Sequence, residues 1–271
     1  IDRDGWLHTG DMAKKRADGY LVFMGRYKDM LKVGGENVSP AEVEAYLRVM
    51  DEVRDAAVVA YPDQRLAEVP GEPATNRTSD GGVAPDGSFW FATEDEAERE
   101  PVGNYYRYGT DRTITPIRLP SVLTSRTFEF SPDGRTFYTC DAAECEILAH
   151  DFDPQSGTVT ARRTFAFTHE LGGMPYGSAI DEEGGLWTCL HGASRVVRFT
   201  PDGQVDQVIV LAAPLPTGCA LGGEDMRKLF ITTSRAGLSF PQLDSRPLSG
   251  SLFAISVDVP GLPPRSFGGK P

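Results

Sequence analysis

No apolar run in this 271-residue sequence approaches the ~18–20 residues that a membrane-crossing helix needs. The longest, such as Val208-Ile209-Val210-Leu211-Ala212-Ala213, falls far short. Basic charge is also scarce: 27 Lys and Arg stand against 39 Asp and Glu, a net charge of −12. The acidic excess holds on both sides of residue 70, so neither nucleic acid nor an anionic membrane is an expected partner. Cysteine is rare. Cys140, Cys145, Cys189 and Cys219 include no C-x-x-C pair and no histidine at zinc-finger spacing, so free thiols in a reducing cytosol are expected. No secretory leader stands before Ile1, a cytoplasmic location is expected, and the true N-terminus is expected upstream. Asn76-Arg77-Thr78 is formally a glycosylation acceptor but carries little weight without such a leader.

What is present divides into two parts near residues 70 to 73. In the first, Asp18-Gly19 followed by the alternating "YLVFMGR" predicts a hairpin. "SPAEVEAYLRVM" predicts a helix, with Ser39 as cap, Pro40 at the first helical position and Glu42 three residues after the cap. "RDAAVVAY" then reads as a buried strand. T-G-D, G-R-x-K-D and G-G-E-N-x-S-P-x-E-x-E occur in this order between residues 5 and 47, and residues 1–70 thereby resemble the C-terminal α+β domain of acyl-CoA synthetases, the adenylate-forming superfamily. The resemblance implies that Asp11 holds the ribose hydroxyls of an adenylate and that Arg26 contacts the same nucleotide. It also makes Asp29 the hinge and gives Gly34 and Gly35 the passage of CoA, so ATP and CoA are implied by the resemblance alone. No P-x-x-x-x-G-K segment follows "AEVP", so the lysine that would stabilise adenylate formation is missing and acid activation is not expected.

Residues 71–271 repeat themselves. "GGVAPDGSFWFAT", "FEFSPDGRTFYTC", "SAIDEEGGLWTCL" and "CALGGEDMRKLFITT" each give a short apolar strand, an acidic glycine-bearing turn and an aromatic-rich strand. Trp90, Tyr138, Trp187 and Phe230 align, about 45 residues apart, the period of propeller blades. The pattern predicts a mainly β chain of four blades built from four-stranded antiparallel sheets, near 73–118, 119–168, 169–213 and 214–271. A flat β-meander sandwich is the alternative.

"NRTSDGGVAPDGSFWFAT", "PTGCALGGEDMRKLFITTSRAGL" and "PLSGSLFAISVDVPGLPPRSFGG" resemble the senescence-marker protein / gluconolactonase / luciferin-regenerating family, the regucalcin-like group, over about residues 73–271. The resemblance implies a six-bladed propeller, so the four blades here would be incomplete at the N-terminus, with unpaired strand edges open to self-association. It implies hydrolysis of sugar lactones or related carboxylic esters with a divalent metal (calcium, zinc, manganese or magnesium) at the channel mouth. The family draws its ligands from an N-terminal Glu, the Asn of S-N-G-x-x-F-S and the Asp of P-D-G-x-x-x-D. In this chain those last two positions hold Arg126 and Tyr176. Arginine has no acceptor and a phenol is a poor ligand for a hard cation, so no metal ligand is assigned and an impaired hydrolase is expected. Asp80 is the candidate base, with Arg77, Ser79, Arg126 and Tyr176 as candidate substrate contacts. A non-catalytic propeller holding a polyhydroxy or anionic ligand, and a remnant of a ligase, are the alternatives. His150 and His169 read as loop residues rather than metal ligands.

Overall fold

The structure is a computed structural model that describes residues 11–15, 21–26, 31–33, 36–38, 69 and 71–268. The chain forms two compact units, Ile1–Glu68 and Val69–Pro271. In the first, β1 (Asp11–Lys15) pairs with β2 (Leu21–Arg26), and β3 (Leu31–Val33) with β4 (Glu36–Val38), both antiparallel. The helix and strand expected after Ser39, together with Asp29, Gly34 and Gly35, lie outside the described residues. No helix among the described residues is long and apolar enough to cross a membrane.

The second unit is a four-bladed, propeller-like array. Blade one holds β5 (Asn76–Val83), β6 (Phe89–Asp95), β7 (Gly103–Tyr108) and β8 (Ile114–Val122). Blade two holds β9 (Glu129–Phe130), β10 (Thr136–Asp141), β11 (Glu146–Asp153) and β12 (Thr158–Phe167). Blade three holds β13 (Met174–Ile180), β14 (Leu186–His191), β15 (Arg195–Phe199) and β16 (Val205–Val210). Blade four holds β17 (Pro216–Gly222), β18 (Lys228–Thr233) and β19 (Phe253–Ser256), with a short helix α1 (Phe240–Ser245) between the last two. Strands follow chain order within each blade, and residues on or just ahead of the first strand of each line one shared cavity.

Blade four departs from the expected four strands. Beyond β19 the chain meets Pro260, Pro263 and Pro264, which lack the N–H that a ladder needs. The tail instead crosses the turns of all four blades. Gly261 donates to the Met226 carbonyl and bridges Asp181, and Glu182 donates to the Pro260 carbonyl. Arg265 Nη2 donates to the Ser131 carbonyl at 3.2 Å. Phe267 stacks on Tyr108 at 5.5 Å, and Gly268 donates to the Gly87 carbonyl.

One register repeats through the blades. Trp90, Tyr138, Trp187 and Phe230 pair with the inner-strand residues Gly82, Glu129, Ala179 and Ala220. Trp90 is fully buried between blades one and two, edge-on to Phe130, Phe137 and Phe152 at 5.6, 5.1 and 5.3 Å. Such edge contacts add to the area term of the burial. Trp187 is also fully buried, among Val196, Leu229 and Ile231 of blades three and four.

The buried indoles are anchored by their polar edge. Trp187 Nε1 donates to Asp181 Oδ2 at 2.9 Å, and Arg198 Nε donates to the same oxygen at 2.7 Å. Blade one repeats the device with Trp90 Nε1 on Ser88 Oγ at 2.9 Å and Arg107 on Asp86 at 2.8 Å. Arg198 is 5% exposed and also pairs with Asp206 at 2.6 Å. Breaking a buried pair by removing one partner costs about 3–5 kcal/mol, and Asp206 retains part of the compensation. Asp181→Ala is therefore expected to lower the unfolding free energy in urea by roughly 3 kcal/mol, and an unchanged midpoint would refute the anchoring role.

Candidate active site at the channel mouth

Three residues before each register partner the inner strand reaches the mouth, at Ser79, Arg126, Tyr176 and Thr217. The ladders are irregular here. Shifts fall between Thr78 and Gly81, between Pro175 and Ser178 and between Pro216 and Gly218, while Arg126 precedes β9 and donates its backbone N–H to Cys140 Sγ at 3.2 Å. A bulge turns a side chain off the sheet face, and these four residues line one cavity of about 400 Å³ with Asp80, Phe128, Glu129, Ser178 and Cys219. Gly177 closes the wall between blades three and four. A Cβ there would stand 2.7 Å from Gly218 Cα, so no side chain fits.

Arg126 is bound into a charge cluster. Its Nη2 lies 2.9 Å from Glu94 Oε1 and 2.8 Å from Glu98 Oε1. Glu94 is fully buried; the same Oε1 also meets Arg77 Nη2 at 3.0 Å, and its Oε2 has no hydrogen-bond partner. The Arg126 guanidinium stands 5.4 Å over the Tyr176 ring, which stacks on His191 at 4.4 Å. A hydroxyl chain supports the wall below, Thr127 Oγ1 to Ser178 Oγ at 3.0 Å and Ser178 Oγ to Thr188 Oγ1 at 3.1 Å.

Two carboxyls share this space. Asp80 takes the Gly81 N–H at 2.8 Å, and burial raises its pKa against the opposing pull of that bond and of Arg126. Glu129 lines the mouth cavity and also a second, about 280 Å³, whose far side carries Arg265 from the C-terminal tail. Burial, with Asp80 as a like charge, pushes the Glu129 carboxyl up to about 8. Burial also raises Cys140, to about 12.

The family description SMP-30/Gluconolactonase/LRE-like region matches residues 41–235. The chain is 38% identical over 210 residues to an L-arabinolactonase of Azospirillum brasilense, covering 76% of this chain and 68% of that one. The chain belongs to this family. It is 37% identical over 208 residues to a 6-deoxy-6-sulfogluconolactonase of Pseudomonas putida, covering 76% and 70% of the two chains. In fold it is similar to a calcium-binding protein, regucalcin, of Agrobacterium tumefaciens, with a TM-score of 0.70 and 25% identity over 74% of this chain and 68% of that one. The family match begins ahead of residue 73, where the sequence motifs place its start.

The residues present do not fit the family's metal. One assigned position holds a guanidinium and the other a phenol that packs against it, and burial raises the phenol's pKa. Among the described residues no group of three or more His, Cys, Asp or Glu side chains is placed to hold an ion. Of the site residues the sequence suggests, the structure brings the candidate base Asp80 and the candidate contacts Ser79, Arg126 and Tyr176 to one cavity. Arg77 stands one step behind, on Glu94, because its strand pairs it directly with that residue. His150, expected in a loop, lies in β11, buried and bonded to Thr139 Oγ1 at 3.0 Å. His169 lies exposed in a short 3-10 turn.

Thr217, Glu94, Glu129 and Cys219 escape the sequence reading. Thr217 was accessible to it, because "TGCA" aligns with "YGSA" once the repeats are extended toward the mouth. Glu129 carries the most specific electrostatic consequence. A carboxyl with a raised folded pKa stabilises the fold fully below the unfolded value of about 4.3 and loses that contribution as pH rises through the folded value. Relative to Glu129→Gln, the wild-type stability is expected to decline from about pH 4 and level off above about 8, a change on the order of 5 kcal/mol. Thermal melts of both proteins across that range check it, and parallel curves would remove the assignment.

Proposed function

We propose that this chain is a lactonase-like hydrolase that opens small sugar lactones or related carboxylic esters in the mouth cavity, in the cytoplasm. The observation that carries the reading is the meeting of all four blades at one cavity holding Asp80 beside a fixed cation, with hydroxyls of Ser79, Ser178 and Thr217 around it. Hydroxyls and a carboxylate suit a polyhydroxylated ring, and a carboxyl with a raised pKa suits proton removal from water. The similarity to lactonases of two organisms supports the same chemistry. With Arg126 and Tyr176 at the ligand positions, turnover below that of metal-holding relatives is expected.

A second reading, a propeller that binds a polyhydroxy or anionic ligand without turnover, is favoured by the same two residues. For residues 1–70 the resemblance to acyl-CoA synthetases remains a reading of the sequence, with Asp11 and Arg26 as Cα partners across the first hairpin. No ATP–pyrophosphate exchange with fatty or aromatic acids is expected.

Proton release from γ- and δ-lactones of aldonic acids separates the first two readings. Hydrolysis that falls by about 10²-fold or more in Asp80→Asn supports the hydrolase. Saturable ligand binding with no hydrolysis transfers the assignment to the binding module.

A further inference from the structure

The disagreement between this site and the family's metal has a physical counterpart in the structure. Arg126 carries a permanent charge, because a guanidinium does not deprotonate in a protein. Its side chain is 17% exposed and that of Glu94, beneath it, is 0% exposed. A fully buried carboxylate is held only where a cation answers it, and here Arg126 and Arg77 answer it from two blades. Tyr176 covers one face of the guanidinium, and the backbone of Arg126 is tied to Cys140. Its Nε is buried and has no hydrogen-bond partner. A divalent ion at the same place would have to displace the guanidinium, which already occupies the position and is held by Glu94 and Glu98.

We propose that the Arg126 guanidinium takes over the electrostatic role of the divalent cation, polarising the ring carbonyl of a neutral, polyhydroxylated cyclic ester held against Asp80, so that binding and turnover proceed without metal. This rests on the hydrolase reading for its chemistry but not for its binding. In the step, the oxygen of a water molecule bonds to the carbonyl carbon while one of its protons passes to the Asp80 carboxylate. The carbonyl electron pair moves onto its oxygen beside Arg126. On collapse the pair re-forms the C=O bond, the ring C–O bond breaks, and the ring oxygen takes the proton from Asp80. The product is the open-chain hydroxy acid, which releases its acidic proton to solvent. Preorganised donors at a developing oxyanion are worth about 10²–10³ in rate, enough to sustain a slow enzyme.

The test uses the whole chain, with and without EDTA, and two probes. Glucono-1,5-lactone reports turnover through proton release, and the corresponding sugar lactam, whose carbonyl resists hydrolysis, reports binding by calorimetry. Variants are Arg126→Met, which removes the charge, and Arg126→Lys, which keeps a cation opposite Glu94; melting curves establish that each is folded. EDTA is expected to change lactam affinity and turnover less than about twofold. Arg126→Met should lower turnover by about 10²-fold or more and weaken lactam binding, with partial recovery in Arg126→Lys. Lactam binding that resists EDTA and depends on Arg126, without any lactone hydrolysis, would uphold the electrostatic assignment while ending the hydrolase reading. Binding or turnover abolished by EDTA and restored by calcium or zinc would overturn the assignment while leaving the hydrolase reading intact. Full binding in folded Arg126→Met would also overturn it.

Discussion

The pairing of one aromatic with one inner-strand residue in each blade is the constraint on which the rest of this unit depends. Once Trp90, Tyr138, Trp187 and Phe230 are set opposite Gly82, Glu129, Ala179 and Ala220, the faces of the inner strands follow from the two-residue period of a strand. A slip of one residue would send every side chain to the opposite face. The indole bonds to Asp181 and Ser88 resist such a slip in two of the blades, because a buried indole N–H without its acceptor is costly. The mouth then lies three residues upstream in all four blades, where irregular ladders release Ser79, Tyr176 and Thr217 into the channel and Arg126 enters from the segment ahead of β9. Core packing and the site are therefore consequences of one register.

The tail completes this arrangement by a different kind of bond. No described sheet joins blade four to blade one. The segment after β19 instead contacts turns in every blade, from Met226 to Gly87, and places Arg265 across the lower cavity from Glu129. Burial lowers the pKa of Arg265, while the nearby Glu129 carboxyl works in the opposite direction. The three prolines that end the sheet are the same residues that let the chain run extended across the turns. Loss of a fourth strand and gain of the cross-tie have one cause.

The repeat, the blade order and four of the mouth residues are legible in the sequence because each rests on local chemistry: acidic glycine turns, alternating strands and aligned aromatics. Gly87, Gly134 and Gly184, at φ of +78°, +67° and +82°, show why the turns announce themselves. What is not legible is made by contacts between blades. Nothing around "ATED" or "FEFS" marks Glu94 or Glu129 as enclosed, since their partners Arg126, Asp80 and Arg265 come from distant parts of the chain. Arg77 misleads for the same reason. Its motif position suggests a ligand contact, while the ladder pairs it with Glu94 and turns its charge to structural use. His150 shows the complementary error, because the neighbouring Asp151 suggests a polar loop although the alternation of "EILAHDFD" continues through it.

The charge at the mouth follows from these cross-blade contacts. Glu94 sits on the second strand of blade one, where a neutral residue would pack at lower cost, and its ionised form is tolerable only with the two arginines that meet its Oε1. Burial raises its pKa while Arg126 and Arg77 pull it down, so the carboxylate and its two arginines hold together or fail together. A metal ion in such a place could leave; a side chain cannot. Covalent attachment makes the cation independent of ion supply, but it also fixes the charge to one geometry, set by Glu94 beneath and Tyr176 beside it. A dissociable ion can adjust its coordination to different ligands, whereas this cation presents one orientation to anything that enters. On the proposed role of Arg126, selectivity at this mouth would follow from how a carbonyl lies against a rigid guanidinium, and the residues that hold Arg126 still would decide it.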